Sequence, residues 1–588
     1  FGIDYPLPKL DMVAAKNFSA GAMENWGLVT YRETALLISK QSSISSRMRV
    51  AYVVAHESAH MWFGNLTTFQ WWSELWLNEG FATYAGQMGV SELFPQWDMW
   101  SAFQSDYTTK ALRADSMVNS HPIQVDVASS AQIGEIFDAI SYRKGASVIR
   151  FVANAIGEKA FQQGLRSYLD AHQYKNATTD DLWAALSKSS SQDVKKLMDN
   201  WIKITGYPVL EIQGSGDAKD QPPFQISQKQ FFYNPQATAS SSNSPLWNIV
   251  TKLFIDKSNI HTLKLDQSVS QSVSVDNVDE SKYFKLNYNQ SGFFRVAYKS
   301  DALAKRVRTA VQDQVVPAVD RLGVVDDYFA LATGGYHSTV EALKLARCFN
   351  TETDYTVVLG LCDSLSAFCS IFAQHSDGIA QALPKFKQAI FLPIFERLGW
   401  EAASDESDRV TLLRALVIAQ LVSSKHAPTI EKIVKMFETA LKTAGDDVAK
   451  LIDALPSDLR PTIFRTVVTH TPEHIVAIEN IFKNAPAHQD KVDALKALGC
   501  NPDRKQCEAL LARSLTDDIP SQDGFYVFWS IGCANSSFPT LAWEWLQENF
   551  DKLDKRFQGT SFLLARIVEY STYRLVGEKY RDQVKAFF

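Results

Sequence analysis

The spacing of hydrophobic and polar positions changes twice along the chain. Residues 1 to about 205 show helical periodicity and hold seven of the fourteen tryptophans before position 101, which predicts one crowded core. Short alternating or β-branched runs follow between 206 and 298 and predict a small antiparallel β-sandwich. Residues 299–588 return to helical segments separated by Pro, Gly, Asn or Asp. We therefore predict three domains, 1–205, 206–298 and 299–588, and interpret the last as an irregular α-helical solenoid of the HEAT or armadillo kind.

The β-sandwich prediction depends on six strand-like runs. A polar stretch, Asn234 to Pro245, interrupts them and predicts an exposed loop. The six runs are Val209–Ile212, Phe224–Gln228, Ile249–Ile255, His261–Leu265, Tyr283–Leu286 and Phe293–Tyr298.

Composition limits the classes of function that the chain can have. Its 588 residues are enough for two to four domains, and 46% hydrophobic against 21% charged residues is typical of a globular protein. With 59 basic and 65 acidic residues the formal net charge is −6, so electrostatics gives no support for a nucleic-acid partner. We find no run of about 18 uninterrupted apolar residues and expect no membrane span.

Cysteine usage favours a reducing compartment. All six cysteines lie in the second half of the chain, without a CxxC pair, which favours reduced thiols and a cytoplasmic protein. Glycosylation sequons such as those at Asn17 and Asn65 leave secretion as the alternative. The sequence begins Phe1-Gly2-Ile3, without an initiating Met, in the manner of a domain interior.

One segment carries the residue types of a metal site. His56, Glu57 and His60 form an H-E-x-x-H pattern, and we predict a helix that starts after Ser45–Ser46 and ends at Gly64. At positions i and i+4 the two imidazoles lie on one face of that helix, close enough to share a tetrahedral cation. Zinc suits two neutral imidazoles and a carboxylate. Two histidines satisfied by solvent or by carbonyl groups remain the alternative.

A third ligand is available further along the chain. No histidine follows His60 within ten residues, so the longer metzincin pattern is absent. Glu79 lies on a second helical segment, with eighteen residues between it and His60, and two antiparallel helices would bring it to the metal. Taken alone, Glu79 is more typical of a surface salt bridge.

These residues carry a resemblance to a known family. Gly21-Ala22-Met23-Glu24-Asn25, then His56-Glu57-x-x-His60 and Glu79, then Ile140-Ser141-Tyr142-Arg143-Lys144-Gly145-Ala146, are similar to the gluzincin zinc aminopeptidases. The likeness is to the aminopeptidase N and puromycin-sensitive type, including fungal alanine/arginine aminopeptidases. It implies a multidomain α+β protein whose residues 1–205 form a thermolysin-like catalytic domain. Relatives carry an N-terminal β-domain and the first catalytic strands before the position of Phe1, so the resemblance implies an N-terminally truncated domain.

The resemblance also implies a role for each site residue. His56, His60 and Glu79 would hold one Zn²⁺ per chain, and Glu57 would be the general base that activates a zinc-bound water. Tyr142 would hydrogen-bond the oxygen that becomes negative in the transition state.

The Gly21–Asn25 segment would bind substrate. By resemblance, Glu24 pairs with the free α-ammonium group of a peptide, and the backbone of Gly21 and Ala22 lies along it, with Met23 and Asn25 completing the motif. A fixed negative charge near the metal would discriminate against blocked and internal peptide bonds. The implied activity is removal of the N-terminal residue of oligopeptides, in peptide catabolism.

Two other functions remain open from the sequence. A leukotriene-type epoxide hydrolase with aminopeptidase activity shares the zinc pattern, although Ala22 and the long helical region argue against it. A catalytically impaired fragment that binds peptides as a scaffold is favoured by the N-terminal truncation, while the intact Glu57 and Tyr142 argue against it. The preferred first residue, the physiological peptide and the oligomeric state are not encoded in these motifs.

Overall fold

A computed structural model describes the fold over residues 1–213, 224–240, 244–275, 283–374 and 376–588. Within these ranges the chain is largely helical and contains several small sheets. Contacts divide it into two compact units. The first unit comprises 1–9 and 55–364, and the second comprises 10–54 and 365–588. The three-domain boundaries at 205/206 and 298/299 stay a prediction.

The strands of the described residues are short. They are β1 (Asp11–Ala15), β2 (Ala22–Met23), β3 (Leu28–Arg32), β4 (Thr67–Phe69), β5 (Lys175–Ala177), β6 (Pro208–Gln213), β7 (Phe224–Gln230), β8 (Ile249–Asp256), β9 (Asn259–Leu265), β10 (Ser270–Val273), β11 (Lys285–Leu286) and β12 (Arg295–Tyr298).

Most helices precede or follow the strand-rich region along the chain, and α10 lies within it. They are α1 (Ile44–His60), α2 (Trp76–Leu93), α3 (Met99–Phe103), α4 (Thr109–Asp115), α5 (Ser130–Ile133), α6 (Gly145–Ile156), α7 (Glu158–Ala171), α8 (Thr179–Ser190), α9 (Val194–Lys203), α10 (Pro235–Ser240), α11 (Asp301–Gln312), α12 (Ala318–Thr333), α13 (Thr339–Arg347), α14 (Tyr355–Phe372), α15 (Asp377–Leu398), α16 (Asp408–Ser423), α17 (Ala427–Ala444), α18 (Val448–Asp453), α19 (Arg460–His470), α20 (Ile475–Asn484), α21 (His488–Leu498), α22 (Arg504–Arg513), α23 (Ser521–Trp529), α24 (Leu541–Arg556), α25 (Ser561–Thr572) and α26 (Glu578–Phe587).

The first unit combines helices with three small sheets. A four-stranded sheet has the order β10-β7-β6-β12, a three-stranded sheet the order β11-β8-β9, and β4 pairs with β5. One hydrophobic core runs from α2 and α6 through both larger sheets and includes fully buried Trp76, Trp183, Trp201 and Trp247. Of the seven tryptophans before position 101, Trp76 lies in this core and Trp62 packs against it, whereas Trp71 is 55% exposed, so the crowding predicted from them is confirmed only in part.

The six predicted strand runs are confirmed, with corrections. The expectation of an all-antiparallel arrangement is wrong for one pair, because β12 runs parallel to β6 with Arg295 opposite Val209. Strand β10 was not predicted, since its sequence Ser-Gln-Ser-Val is polar at an edge of the sheet. The stretch Asn234–Pro245 is not simply a loop, because α10 occupies part of it, and its residues 241–243 lie outside the described ranges. Packing of the two larger sheets as a sandwich stays a prediction.

The second unit joins a small sheet to the helical region. Strands β1 and β3 run parallel and β2 is antiparallel to β3. Helices α17, α19, α21, α23 and α25 contact one another in succession around a second core, in which Phe464, Phe528 and Trp543 are buried. A helical region is confirmed; its description as a solenoid stays a prediction.

The bounds of α1 differ from those that the sequence predicts. The helix begins at Ile44, before the two serines proposed as its cap, and Ser43 takes the capping role because its Oγ accepts the backbone N–H of Ser46 at 3.2 Å. It ends at His60, and turns lead on to Gly64, whose φ is +129°.

Helix α14 is the one helix of the described ranges whose length and composition would let it cross a membrane. It holds Asp363, and 44% of it is buried inside the protein. A single such helix is weak support for a membrane span.

Candidate metal and catalytic site

The last turn of α1 and the first turn of α2 bring three ligand-type side chains together. Nε2 of His56 lies 3.1 Å from Nε2 of His60, and Oε2 of Glu79 lies 3.5 Å and 3.4 Å from these two nitrogens. All three residues are buried, with 8%, 1% and 5% of their surfaces exposed. The three residues that the sequence nominates as metal ligands therefore do converge.

The triangle formed by these donors fits a tetrahedral zinc site. Zinc bonds of about 2.0–2.1 Å at the tetrahedral angle place two donors about 3.3–3.4 Å apart. The three donor separations, 3.1, 3.4 and 3.5 Å, lie close to that value. Two nitrogens and one carboxylate oxygen form a donor set that zinc accepts, and a fourth position would remain for a non-protein ligand.

Neighbouring groups orient the two imidazoles. Nδ1 of His60 lies 3.0 Å from the carbonyl oxygen of Phe63, so this nitrogen carries the proton and Nε2 keeps its lone pair for a cation. Nδ1 of His56 has the hydroxyl of Thr83 at 3.5 Å. The rings are thereby held with both Nε2 atoms directed at the carboxylate of Glu79.

The surroundings of Glu79 keep its carboxyl group ionised. Burial raises the pKa of this carboxyl, but the two imidazoles beside it, His60 above all, favour its charged form and lower the pKa to about 2. At neutral pH the side chain is ionised, as a carboxylate ligand must be.

Two glycines of α2 permit the close packing that shapes the site. A Cβ on Gly86 would lie 2.9 Å from the backbone nitrogen of His56, so α1 and α2 approach each other without an intervening side chain. A Cβ on Gly80 would lie 3.1 Å from the backbone carbon of Gly145, where α6 begins. The distance from Glu79 to the imidazoles depends on these contacts.

Replacing Gly86 with alanine is expected to destabilise the protein by about 1–3 kcal/mol, because the added methyl group must push α1 away from α2. Gly89 is the matched control, since it lies on the same helix and a Cβ there meets nothing within 4 Å. G89A is expected to be neutral or stabilising by up to about 1 kcal/mol, from helix propensity. Chemical denaturation of both variants checks this, and equal stabilities would contradict the packing argument.

Glu57 and Tyr142 lie close to the three donors. A carboxylate oxygen of Glu57 is within 4.8 Å of a ring nitrogen of His60, and the residue is 6% exposed. The Tyr142 ring stacks on that of His56, with centroids 6.3 Å apart and planes inclined by 16°. A base and a phenol therefore border the donor triangle, although their catalytic roles stay predictions.

The Gly21–Asn25 segment belongs to the second unit. Ala22 and Met23 form β2 and pair with β3, while the backbone N–H of Arg32 donates to the carbonyl of Gly21 at 2.9 Å. Gly21, Met23 and Asn25 are exposed, and Glu24 is half-buried. The side-chain amide of Asn25 donates to Thr30 Oγ1 at 3.2 Å. Substrate binding by this segment stays a prediction.

The sequence did not point to the groups that hold the site in place. The Phe63 carbonyl and the Thr83 hydroxyl carry no motif, although Thr83 lies four residues after Glu79 and so on the same helical face. Asp138, which lies four residues before Tyr142, was also not singled out, and it caps the turn that carries the phenol.

Two family profiles match the chain. The Peptidase family M1 domain matches residues 1–201, and the ERAP1-like C-terminal domain matches residues 283–588. These matches define a protein of the peptidase class. The chain belongs to peptidase family M1, as the gluzincin resemblance predicted.

Relatives from plants and yeast align over the whole chain. It is 36% identical over 600 residues to Aminopeptidase M1-A of Oryza sativa subsp. japonica and 35% identical over 606 residues to Aminopeptidase M1 of Arabidopsis thaliana. It is 34% identical over 590 residues to the Alanine/arginine aminopeptidase of Saccharomyces cerevisiae. Each alignment covers 100% of this chain and 66% of the relative, so the chain spans slightly less than two thirds of these proteins.

Proposed function

We propose that the chain carries the hydrolytic centre of a zinc metallo-aminopeptidase, which removes the N-terminal residue of oligopeptides. The observation that carries this proposal is the convergence of His56, His60 and Glu79 at zinc-like separations, with Glu57 beside them. Membership of family M1 and relatives named aminopeptidases support it.

Each residue of the site has a chemical role in this proposal. His56, His60 and Glu79 would hold one zinc ion, which when bound would polarise the scissile carbonyl and lower the pKa of water. The Glu57 carboxylate accepts a proton from the attacking water and then delivers it to the leaving amine. The hydroxyl of Tyr142 donates a hydrogen bond to the oxygen on which negative charge develops.

We assign the preference for peptides with a free N-terminus to the Gly21–Asn25 segment. The carboxylate of Glu24 would form an ion pair with the free α-ammonium group, and the exposed backbone around Gly21 would accept the peptide. A peptide whose amine is acetylated cannot form that ion pair. The substrate class is therefore oligopeptides with a free N-terminus.

We retain the cytoplasm as the proposed compartment. The six cysteines are all free thiols, which suits a reducing environment. One relative, from Saccharomyces cerevisiae, carries the name Aminopeptidase 2, mitochondrial.

Fluorogenic aminoacyl substrates with free and with acetylated amines test the proposal. We expect release from the free amine only, loss of release with a chelator, and recovery on adding zinc. No release even with added zinc would favour the peptide-binding scaffold. Equal cleavage of the acetylated substrate would overturn the exopeptidase assignment, and activity that survives chelation would overturn the metal.

A further inference from the structure

The phenol of Tyr142 is carried by an unusual piece of backbone. Residues Ile140–Lys144 form a π-helical turn that leads directly into α6. Such turns are rare, occur mostly as single turns within α-helices, and are frequent at functional sites. The direction of the phenol therefore depends on what holds this turn.

One support is a fully buried ion pair made by Lys144, which lies two residues after Tyr142 in the sequence. Nζ of Lys144 lies 2.8 Å from Oδ2 of Asp115, and neither side chain is exposed to solvent. The same ammonium donates to the carbonyl of Gly206 at 3.1 Å, and Asp115 accepts the backbone N–H of Gly206 at 3.0 Å. Both side chains of this ion pair are shielded from solvent, so removing either one would leave the other as an uncompensated buried charge.

The other support lies before Tyr142 and is partly exposed. Oδ1 of Asp138 accepts the backbone N–H groups of Ile140 and Ser141 at 2.9 and 3.1 Å, which caps the start of the turn. The carbonyl of Asp138 accepts the N–H of Tyr142 itself at 3.2 Å. Oδ2 of Asp138 lies 2.9 Å from Nε2 of His121, with 28% of the imidazole exposed.

The geometry around His121 favours the imidazolium ion. Its Nδ1 lies 2.8 Å from the carbonyl oxygen of Pro122, and its Nε2 faces the Asp138 carboxylate. Both ring nitrogens therefore face acceptors, and only the doubly protonated ring satisfies both. In the neutral ring one of these contacts would place a lone pair against an oxygen.

The nearby charges act in the same direction. Asp138 and, further away, Asp115 are the carboxylates that act on His121, and Asp115 is itself paired with Lys144. The hydrogen bond to Asp138 raises the pKa of His121, against the opposing effect of partial burial. A raised pKa in the folded state means that the stabilisation from the imidazolium–Asp138 interaction is fully present below the unfolded-state pKa and is lost as pH rises through the raised pKa.

We propose that His121 is a positioning residue for Tyr142, acting through Asp138, and that turnover falls as pH rises and His121 loses its proton. Segment 115–121 then holds the π-helical turn at two points. The Asp115–Lys144 ion pair is buried from solvent, whereas the His121–Asp138 contact depends on the protonation state of His121. The proposal rests on the proposed aminopeptidase function. Deprotonation of His121 loosens the cap on the turn and lets the phenol leave its catalytic position.

Replacing His121 with glutamine tests the proposal. The amide is neutral, so H121Q is expected to behave like the deprotonated protein, with kcat lower by about tenfold and KM little changed. The fall of kcat with rising pH that we expect for the unsubstituted protein should be absent in H121Q. His474→Gln is the matched control, because His474 pairs with Glu438 at 3.4 Å on the surface of the second unit; H474Q should keep both kcat and the pH profile.

A variant that already lacks the Tyr142 hydroxyl separates a positioning role of His121 from a general effect on protein stability. In a Y142F protein, adding H121Q should lower kcat no further, because the group that His121 positions is already absent. A further tenfold loss in the double variant would overturn the positioning role, as would an unchanged pH profile in H121Q.

Hydrogen exchange of residues 138–146 gives a readout that does not need turnover. H121Q should exchange the amides of Ile140 and Ser141 several-fold faster, after correction for intrinsic rates, while H474Q should not. Unchanged exchange in H121Q would overturn the contact even in an active protein. Absence of turnover in the unsubstituted protein would refute the proposed function and the positioning role with it, and exchange would still decide whether His121 holds the turn.

Discussion

Replacing Glu57 with glutamine is expected to lower kcat on a free aminoacyl substrate by about 10²–10⁴-fold, with zinc content unchanged. Glutamine fills nearly the same volume at this buried position but cannot accept a proton from water. Because Glu57 lies beside the donor triangle and is not one of its three members, the metal ligands remain in place. Turnover and metal content, measured on the same preparation, check both halves of this prediction.

Glu92 offers a control for the Glu57 substitution. It is an exposed glutamate near the end of α2, so E92Q makes the same chemical change in the same unit without touching the site. We expect its activity to match that of the unsubstituted protein. If E57Q kept its turnover, Glu57 would not be the base; if E57Q lost its zinc, the loss of activity would have a different cause.

Replacing His60 with glutamine is expected to weaken zinc binding by roughly a thousandfold or more and to abolish activity, because one of three protein ligands is lost. Its imidazole is the most deeply buried of the three ligand side chains, and it lies within 3.4 Å of both other donor atoms. The substitution also removes the hydrogen bond to the Phe63 carbonyl. Metal content after dialysis against a buffered zinc concentration measures the change in affinity.

His172 provides the matched control for His60. It is a partly exposed histidine of the first unit whose Nδ1 lies 3.1 Å from the carbonyl oxygen of Asn176. H172Q should retain zinc and activity. Retention of tightly bound zinc by H60Q would mean that the cluster is not the metal site, whatever the relatives do.

The His56–His60 part of the candidate metal cluster was predictable because its spacing is local. His56 and His60 are one helical turn apart, so any helix over this segment places both on one face, and the structure needed only to bring Glu79 to them. The strand runs between 206 and 298 were predictable for the same reason, since alternation along a strand is a local pattern.

Features that depend on distant contacts were not predictable from a single sequence. Nothing in the spacing around Gly86 shows that it packs on the backbone of His56, because that contact joins residues thirty positions apart. The parallel pairing of β1 with β3 and the edge strand β10 likewise follow from partners elsewhere in the fold. The start of α1 was misplaced because several serines compete for one cap, and only Ser43 makes the bond.

The π-helical turn at Ile140–Lys144 constrains how the sequence can change over evolution. A turn of this kind contains about one residue more than an α-helical turn, so a one-residue deletion there would allow a continuous α-helix into α6. Everything before the deletion would then rotate by about 100° relative to α6, and the aromatic ring would no longer face His56. An alignment gap at this position in a homologous chain would therefore mark a protein that keeps the fold but not the role proposed here for the phenol.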